Sequence, residues 1–248
     1  MGLVMDRTIW IGWEPREADA FAVTRASLQR YQSNPRIPVR GLALFDLPAY
    51  RRPTSVRRND AGAWQLWDEI SEHWMSTEFA VSRFFVPYMA GHGWAMFGDC
   101  DLLCRTNIQA LFDLCERDRS KAVYCVKHDH RVGAGAIKMD AQAQSNYSRK
   151  NWSSVMVFNC DHPANAALKD PGGIINTLPG RDLHRFCWLD DDQIGELDLR
   201  WNWLEGVSEP APDPYIVHFT RGIPSMRGYE SVAFADEWRA VLQSWVRR

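Results

Sequence analysis

The residues best placed to do chemistry are two carboxylates, Asp99 and Asp101, separated by Cys100 and delivered by the apolar run Trp94 to Phe97 and Gly98. On extended backbone, residues i and i+2 project to the same side, so both carboxylates can aim at one point beyond the strand's carboxyl end. Two carboxylates that close repel unless a proton or a cation sits between them. Oxygen ligands of this kind suit a hard divalent ion, Mg²⁺ or Mn²⁺, which keeps positions open for phosphate oxygens and water. A bare Asp-x-Asp fits solvated turn aspartates equally well, so the pair needs partners elsewhere in the chain. His218 is one candidate, placed after the apolar Tyr215-Ile216-Val217. Arg83 is a second, set between apolar faces where an arginine usually has an anion for company. Asp190-Asp191-Asp192-Gln193 reads either as a capped, negatively charged helix start or as a group facing a sugar. In Lys127-His128-Asp129-His130 two histidines stand at i, i+2, with no fourth ligand at zinc spacing, and the role of that cluster stays open.

Positioning these groups is the work of alternating strands and helices. Thr8 to Gly12 is β-branched and aromatic and predicts a buried first strand, ended by Gly12-Trp13-Glu14-Pro15. Ala18 to Tyr31 carries apolar residues at helical spacing, and Val39 to Phe45 predicts the second strand. This is the βαβ start of a parallel nucleotide-binding sheet, without the G-x-G-x-x-G fingerprint of the dinucleotide version. Tyr50 to Asp60, with Arg51, Arg52, Arg57 and Arg58, predicts a solvated loop or a flap over an anion. Phe79 to Met89 predicts a helix interrupted by Pro87, and Ile108 to Glu116 a short one. Lys121 to Val126, Val155 to Phe158 and Tyr215 to Phe219 predict further strands. In open sheets of this kind the ligand crevice lies outside the carboxyl ends of the strands, where Asp99 and Asp101 sit.

The 248 residues carry a formal net charge of −2, which offers no global basic field for nucleic acid. The six cysteines form no C-x-x-C pair and are expected to be reduced, buried thiols of a cytoplasmic protein. The N-terminal residues lack the long apolar run of a secretory signal, and no stretch is apolar enough to span a bilayer. With no repeat or clean linker, the expectation is one α/β domain over 1–248, a mostly parallel Rossmann-like central sheet flanked by helices. Phe234, Trp238, Val241, Leu242 and Trp245 lie at helical spacing. The C-terminal helix they predict, about 234–248, packs on the sheet or lies peripherally on a membrane face toward a lipid-linked acceptor.

With these motifs in order, the chain resembles the glycosyltransferase family 8 group from Thr8 to about Met226. The resemblance implies a GT-A fold, a nucleotide-sugar donor of which UDP is the default, a saccharide or lipid-linked acceptor, and Mn²⁺ or Mg²⁺. Asp99 and Asp101 match the family's metal motif, and His218 the C-terminal histidine that completes the metal shell. Ile11-Gly12-Trp13 falls where the family holds the nucleoside, with Arg83 and Cys100 also on the nucleotide side. Asn151 and Ser153, before Ser154-Val155, match the start of a strand beside the sugar, and Asp129 is assigned to the same region. Asp192-Gln193 matches a pair that faces the reacting carbon, with Trp201-Asn202 trailing. Two departures mark a divergent branch: Trp152 stands where an asparagine usually precedes the small pair, and Arg221 replaces the lysine after the histidine as the phosphate contact.

The chemistry agrees with the resemblance. A cation held by Asp99, Asp101 and a neutral His218 would offset the charge that grows on a departing diphosphate, with Arg83 or Arg221 adding charged hydrogen bonds. An amide at Gln193 is a poor base, so the expected outcome is retention. Two rivals stand beside this reading. A nucleotidyltransferase would want a glycine-rich basic loop after the first strand, and a non-catalytic metal or carbohydrate-binding module would not need the full constellation.

Overall fold

The computed structural model describes residues 6–33, 36–128, 137–138, 142–143, 149, 151–211 and 213–247. In chain order the strands and helices are β1 (Arg7–Trp13), α1 (Ala18–Arg30), β2 (Val39–Ala43), β3 (Thr54–Arg58), β4 (Trp64–Asp68), β5 (His73–Trp74), α2 (Val86–Ala90), β6 (Trp94–Gly98), β7 (Leu102–Cys104) and α3 (Gln109–Cys115). They continue with β8 (Val123–Cys125), β9 (Ile137–Lys138), β10 (Gln142–Ala143), β11 (Val155–Asn159), α4 (Gly180–His184), β12 (Ile194–Glu196), β13 (Trp203–Leu204), β14 (Ile216–His218) and α5 (Ala235–Val246).

The central sheet has the order β12-β8-β11-β6-β1-β2. Only β11 runs against its neighbours; the β1–β2, β1–β6 and β8–β12 pairs are parallel. That is the mostly parallel α/β sheet the sequence predicts. Buried on both faces, β6 reads as a continuous apolar run, as parallel core strands do. Trp94, Ala95, Met96 and Phe97 are all essentially inaccessible, each large side chain contributing roughly 1.5–3 kcal/mol of burial. Gly12 is required by close approach: a Cβ there would lie 2.5 Å from the Phe79 ring.

A second, three-stranded sheet, β13-β14-β7, receives the chain as it leaves β6 through residues 99–101. Its register sets His218 opposite Leu102, next in sequence to Asp101. A third sheet, β3-β4-β5, corrects the expectation for residues 50–60. Instead of a solvated loop or flap, Thr54–Arg58 pairs antiparallel with β4, with Thr54 opposite Asp68. Arg52 is buried, its guanidinium bidentate on Asp68 at 2.8 and 2.6 Å and donating to the Ile175 and Leu178 carbonyls. The predicted helix at 79–89 is likewise shorter than expected. Ser82–Phe85 is a 3₁₀ turn and only Val86–Ala90 is α-helical, because Pro87 lacks the N–H an interior position needs and suits a first turn.

α5 lays its apolar face against α1, burying Trp238 and Val241 beside Ala20 and Val23, while Arg25 sits over the Trp245 ring. Trp238 and Val241 are thus taken up in packing against α1, while Val246 at the end of the helix stays exposed. Among the described residues no helix is long and apolar enough to cross a membrane. Five cysteines are buried as expected, and Cys187 is exposed.

Candidate functional site

The chain turns from β6 to β7 through Asp99-Cys100-Asp101, and α1 holds that turn in place. Thr24 Oγ1 lies 2.5 Å from the Cys100 carbonyl and accepts from Leu102 N–H at 2.9 Å. Asp99 N–H donates to the Ser154 carbonyl at 2.9 Å, fixing the turn to the start of β11 as well. Both carboxylates are buried, Asp99 at 6% and Asp101 at 1% exposure. His218, at the end of β14, brings Nε2 to 3.2 Å from Asp101 Oδ1 and 3.9 Å from Asp99 Oδ2. One ligand atom from each of these three residues lies within 4.8 Å of the others. Two buried anionic oxygens and one imidazole nitrogen facing a common point fit a divalent ion of the Mn²⁺ or Mg²⁺ kind. The other imidazole nitrogen, Nδ1, is 3.0 Å from Asn202 Oδ1, an outer contact of the sort that orients a ligating histidine.

Arg83 stands on the other side of Asp99. Its Nη1 is 2.9 Å from Asp99 Oδ1 and donates to the Ser153 carbonyl at 2.8 Å, while Nε donates to the Phe79 carbonyl at 3.3 Å. The guanidinium lies 4.8 Å from the Phe97 ring centroid and 5.4 Å from that of Phe79. The anion partner that its apolar setting implies is thus Asp99. A cavity of about 590 Å³ opens beside this pair. Arg83, Asp99, Asn151, Ser153 and Ser154 form one wall; the others come from the 68–77 segment and from α4 with its flanks. Ser153 Oγ is 2.6 Å from His184 Nδ1. Burial and then the Arg83 charge push the His184 pKa down to about 3, so this imidazole is neutral and a weak base.

The structure thus gathers Asp99, Asp101, His218, Arg83, Asn151 and Ser153. Ile11 joins them at the strand ends, opposite Gly98, with Gly12 and Trp13 following. The Cys100 thiol points away from the crevice into the core, 2.6 Å from Glu17 Oε2, and burial drives its pKa up. Arg221 is half-exposed and pairs with the buried Glu205 at 2.9 Å. Asp129 lies outside the described residues, as does His130.

The placement of Asp192 and Gln193 corrects the sequence reading. Ile194 opens β12 opposite Val123, Val123 lies opposite Phe158, and Phe158 opposite Ala95. Gln193 is therefore level with Trp94 at the beginning of β6, roughly 16 Å along the strands from Asp99 at about 3.3 Å per residue. Its side chain is spent in a capping box with Asp190, accepting from the Asp190 N–H at 3.1 Å. Asp192 is exposed, its carbonyl accepting from Lys121. The helix-start reading of the acidic run is the one realised, here on a 3₁₀ turn at the far end of the sheet.

Sequence reasoning also left functional neighbours unassigned. Local sequence places Asn202 only behind the Asp-Gln pair and His128 only in a cluster without a role, and it gives no signal for His184. The Trp201-Asn202-Trp203 triplet carried a signal: an amide between two large aromatics is a buried amide, and a buried amide has partners.

Comparison with known proteins adds a relative and a fold. The chain is 37% identical over 243 residues to protein CDI of Arabidopsis thaliana, covering 96% of this chain and 86% of that protein. No family model matches it. Among solved structures it is similar to an active-site mutant of LgtC, with TM-score 0.58 and 12% identity over 96% of this chain and 95% of that one. It is also similar to the apo WbbM bifunctional glycosyltransferase, with TM-score 0.59 and 11% identity over 100% of this chain. GlyE of Streptococcus pneumoniae TIGR4 gives TM-score 0.55 and 12% identity over 98% of this chain. The chain spans 53% of WbbM and 64% of GlyE. These likenesses place the architecture with GT-A glycosyltransferases.

Proposed function

The chain belongs to the family of Arabidopsis thaliana protein CDI, and we propose that it is a glycosyltransferase that uses a nucleoside diphosphate sugar, UDP-linked by default, together with Mn²⁺ or Mg²⁺. The observation that carries this reading is the Asp99–Asp101–His218 cluster at the strand ends, next to Arg83 and a 590 Å³ cavity. LgtC, of like fold, has been solved with donor and acceptor sugar analogs, which supports a sugar donor and a saccharide acceptor here. A bound divalent ion would supply positive charge against a departing diphosphate. Arg83 would position Asp99 and add a planar donor beside the phosphates. Asn151 and Ser153 would line the sugar side and Trp13 the nucleoside side, with the buried Ile11 and Gly12 supporting it from behind. Arg221 would reach phosphate only by exchanging its Glu205 partner.

Retention remains the proposed outcome, on grounds other than Gln193. An inverting route needs a base in the cavity. Asp68 is tied to Arg52, Asp99 to Arg83, and His184 is held neutral with a pKa about 3. Glu72 and His73, both exposed, are the remaining groups of the cavity lining that could act as a base. Front-side attack, with the departing diphosphate taking the acceptor proton, needs no such base.

Titration calorimetry with UDP, with and without Mn²⁺, tests the donor reading: binding that requires the metal is expected, and no UDP binding in either condition overturns it. A donor screen scored by nucleotide release then identifies the sugar. With a donor in hand, the anomeric proton coupling of the early product reads the stereochemistry. An α-linked donor should give an α-linked product, and Glu72→Gln should leave turnover within a few fold. A β-linked product refutes retention, and its loss in Glu72→Gln or His73→Gln names the base.

A further inference from the structure

The histidine of the candidate metal cluster can serve as a ligand through Nε2 only if its ring proton sits on Nδ1. We infer that Asn151, Ser154, Asn202 and His128 form a positioning relay that holds His218 in the Nδ1-protonated tautomer. The inference rests on the metal reading proposed above and deepens it.

The direction of each hydrogen bond follows from one backbone carbonyl. Asn151 C=O can only accept, and Ser154 O–H donates to it at 2.7 Å. With its proton committed there, Ser154 Oγ is left to accept from the Asn202 side chain at 2.8 Å. The Asn202 group facing it is therefore the NH₂, and its second proton is directed at His128 Nε2, 3.1 Å away. Oδ1 of Asn202 then faces His218 Nδ1 at 3.0 Å. An amide oxygen only accepts, so Nδ1 carries the proton and the Nε2 lone pair turns to Asp99 and Asp101.

The opposite amide orientation fails on two counts. It sets Asn202 Oδ1 against the Asn151 carbonyl, where Nδ2 now sits 3.5 Å away. It draws the Ser154 proton away from that carbonyl. Asn202, His218, Ser154 and His128 are at 0, 1, 3 and 9% exposure, so bulk water does not reach in to offset such losses. Asn151, the origin of the relay, has φ of 64°, a left-handed conformation asparagine tolerates well, and this turns its carbonyl toward Ser154. The Trp152 indole N–H donates to the His128 carbonyl at 3.0 Å and anchors the far end. This gives His128 a place that the zinc reading of its cluster did not.

The test is ¹⁵N NMR of histidine-labelled, metal-free protein, with His218 assigned by its loss in His218→Gln, paired with Mn²⁺ titration followed by EPR. In the native chain His218 should carry a proton on Nδ1, the nitrogen that faces Asn202 Oδ1. Ser154→Ala removes the acceptor that orients the amide; His218 should become a tautomer mixture and Mn²⁺ affinity should fall about 10–100-fold, the usual cost of losing an outer-shell contact. His128→Leu should move both readouts in the same direction. Asn202→Asp keeps an acceptor on Nδ1 and should retain the native tautomer, which a merely structural role for Asn202 would not require. A native His218 with no proton on Nδ1, or a Ser154→Ala protein unchanged in both readouts, overturns the relay. If the native chain binds no Mn²⁺ while His218 still shows the Nδ1-protonated form, the metal reading fails and the relay stands.

Discussion

Arg83→Met isolates what the buried arginine does for Asp99. The side chains of this pair are 6% and 9% exposed and 2.9 Å apart. Removing one partner of a buried ion pair costs about 3–5 kcal/mol, because the other charge is left in a low dielectric. The variant also loses the hydrogen bonds to the Ser153 and Phe79 carbonyls, worth about 1 kcal/mol each. In chelator, the expected loss is therefore about 5–7 kcal/mol, or a fall in Tm of roughly 10–28 °C for a chain of this size. With saturating Mn²⁺ the outcome differs: Asp99 again faces a cation, and only the carbonyl hydrogen bonds stay lost. The deficit should then shrink to about 2 kcal/mol. Urea unfolding at matched ionic strength, with EDTA and with Mn²⁺, measures both numbers. A deficit of the same size in the two conditions would refute the idea that Asp99 faces the arginine on one side and the metal on the other.

Asp101→Asn should erase most of the Mn²⁺-dependent rise in Tm while the chelated protein keeps the native far-ultraviolet spectrum; an undiminished rise would show that the ion sits elsewhere. Arg83→Lys keeps the charge but loses the planar fork, so metal-dependent UDP affinity should drop even where thermal stability is largely kept. His184, with a folded pKa of about 3 against 6.5 for the free side chain, stays neutral in the native state while the unfolded chain takes up a proton. Its contribution to stability is thus present above pH 6.5 and declines toward pH 3, by about 1.4 kcal/mol per unit within the window; His184→Gln should flatten that slope in unfolding measured from pH 7.5 to 4.5. Flotation with anionic liposomes at low salt should recover no protein, since Trp238 and Val241 of α5 are taken up by α1, and co-flotation would reopen the peripheral reading.

The parts of the fold legible in the sequence are those whose signal is local. β1, α1, β2, β6 and β11 announce themselves through continuous apolar runs or helical spacing, and each is found within a residue or two of its expected place. Asp99 and Asp101 were legible because a strand's pleat dictates their common direction. His218 needed only the end of a short apolar run. The β3-β4-β5 sheet was not legible, because the residue that makes sense of Arg52 lies sixteen positions on, at Asp68. A run of arginines looks solvated until the carboxylate that buries one of them is known. The same holds for His184, whose place in the cavity comes from Ser153, 31 residues earlier in the chain.

Asp192-Gln193 shows the converse, a local motif given more meaning than its position allows. The acidic run and the amide have the right chemistry for a sugar, and they sit in the right order between Ser153 and His218. What decides their role is the sheet register. Because β12 is parallel to β8 and begins beside Val123, the residues immediately before it, Asp190 to Gln193, lie at the amino ends of the strands, away from the carboxyl ends where Asp99 sits. A chain-order match is blind to that distinction, since an element of three residues inserted or removed carries a motif from one end of the sheet to the other. The capping box then settles the chemistry of Gln193, whose amide oxygen closes onto the Asp190 N–H. β12 carries the chain back toward the site, and Asn202, eight positions after Ile194, is the amide that reaches the cluster, through His218.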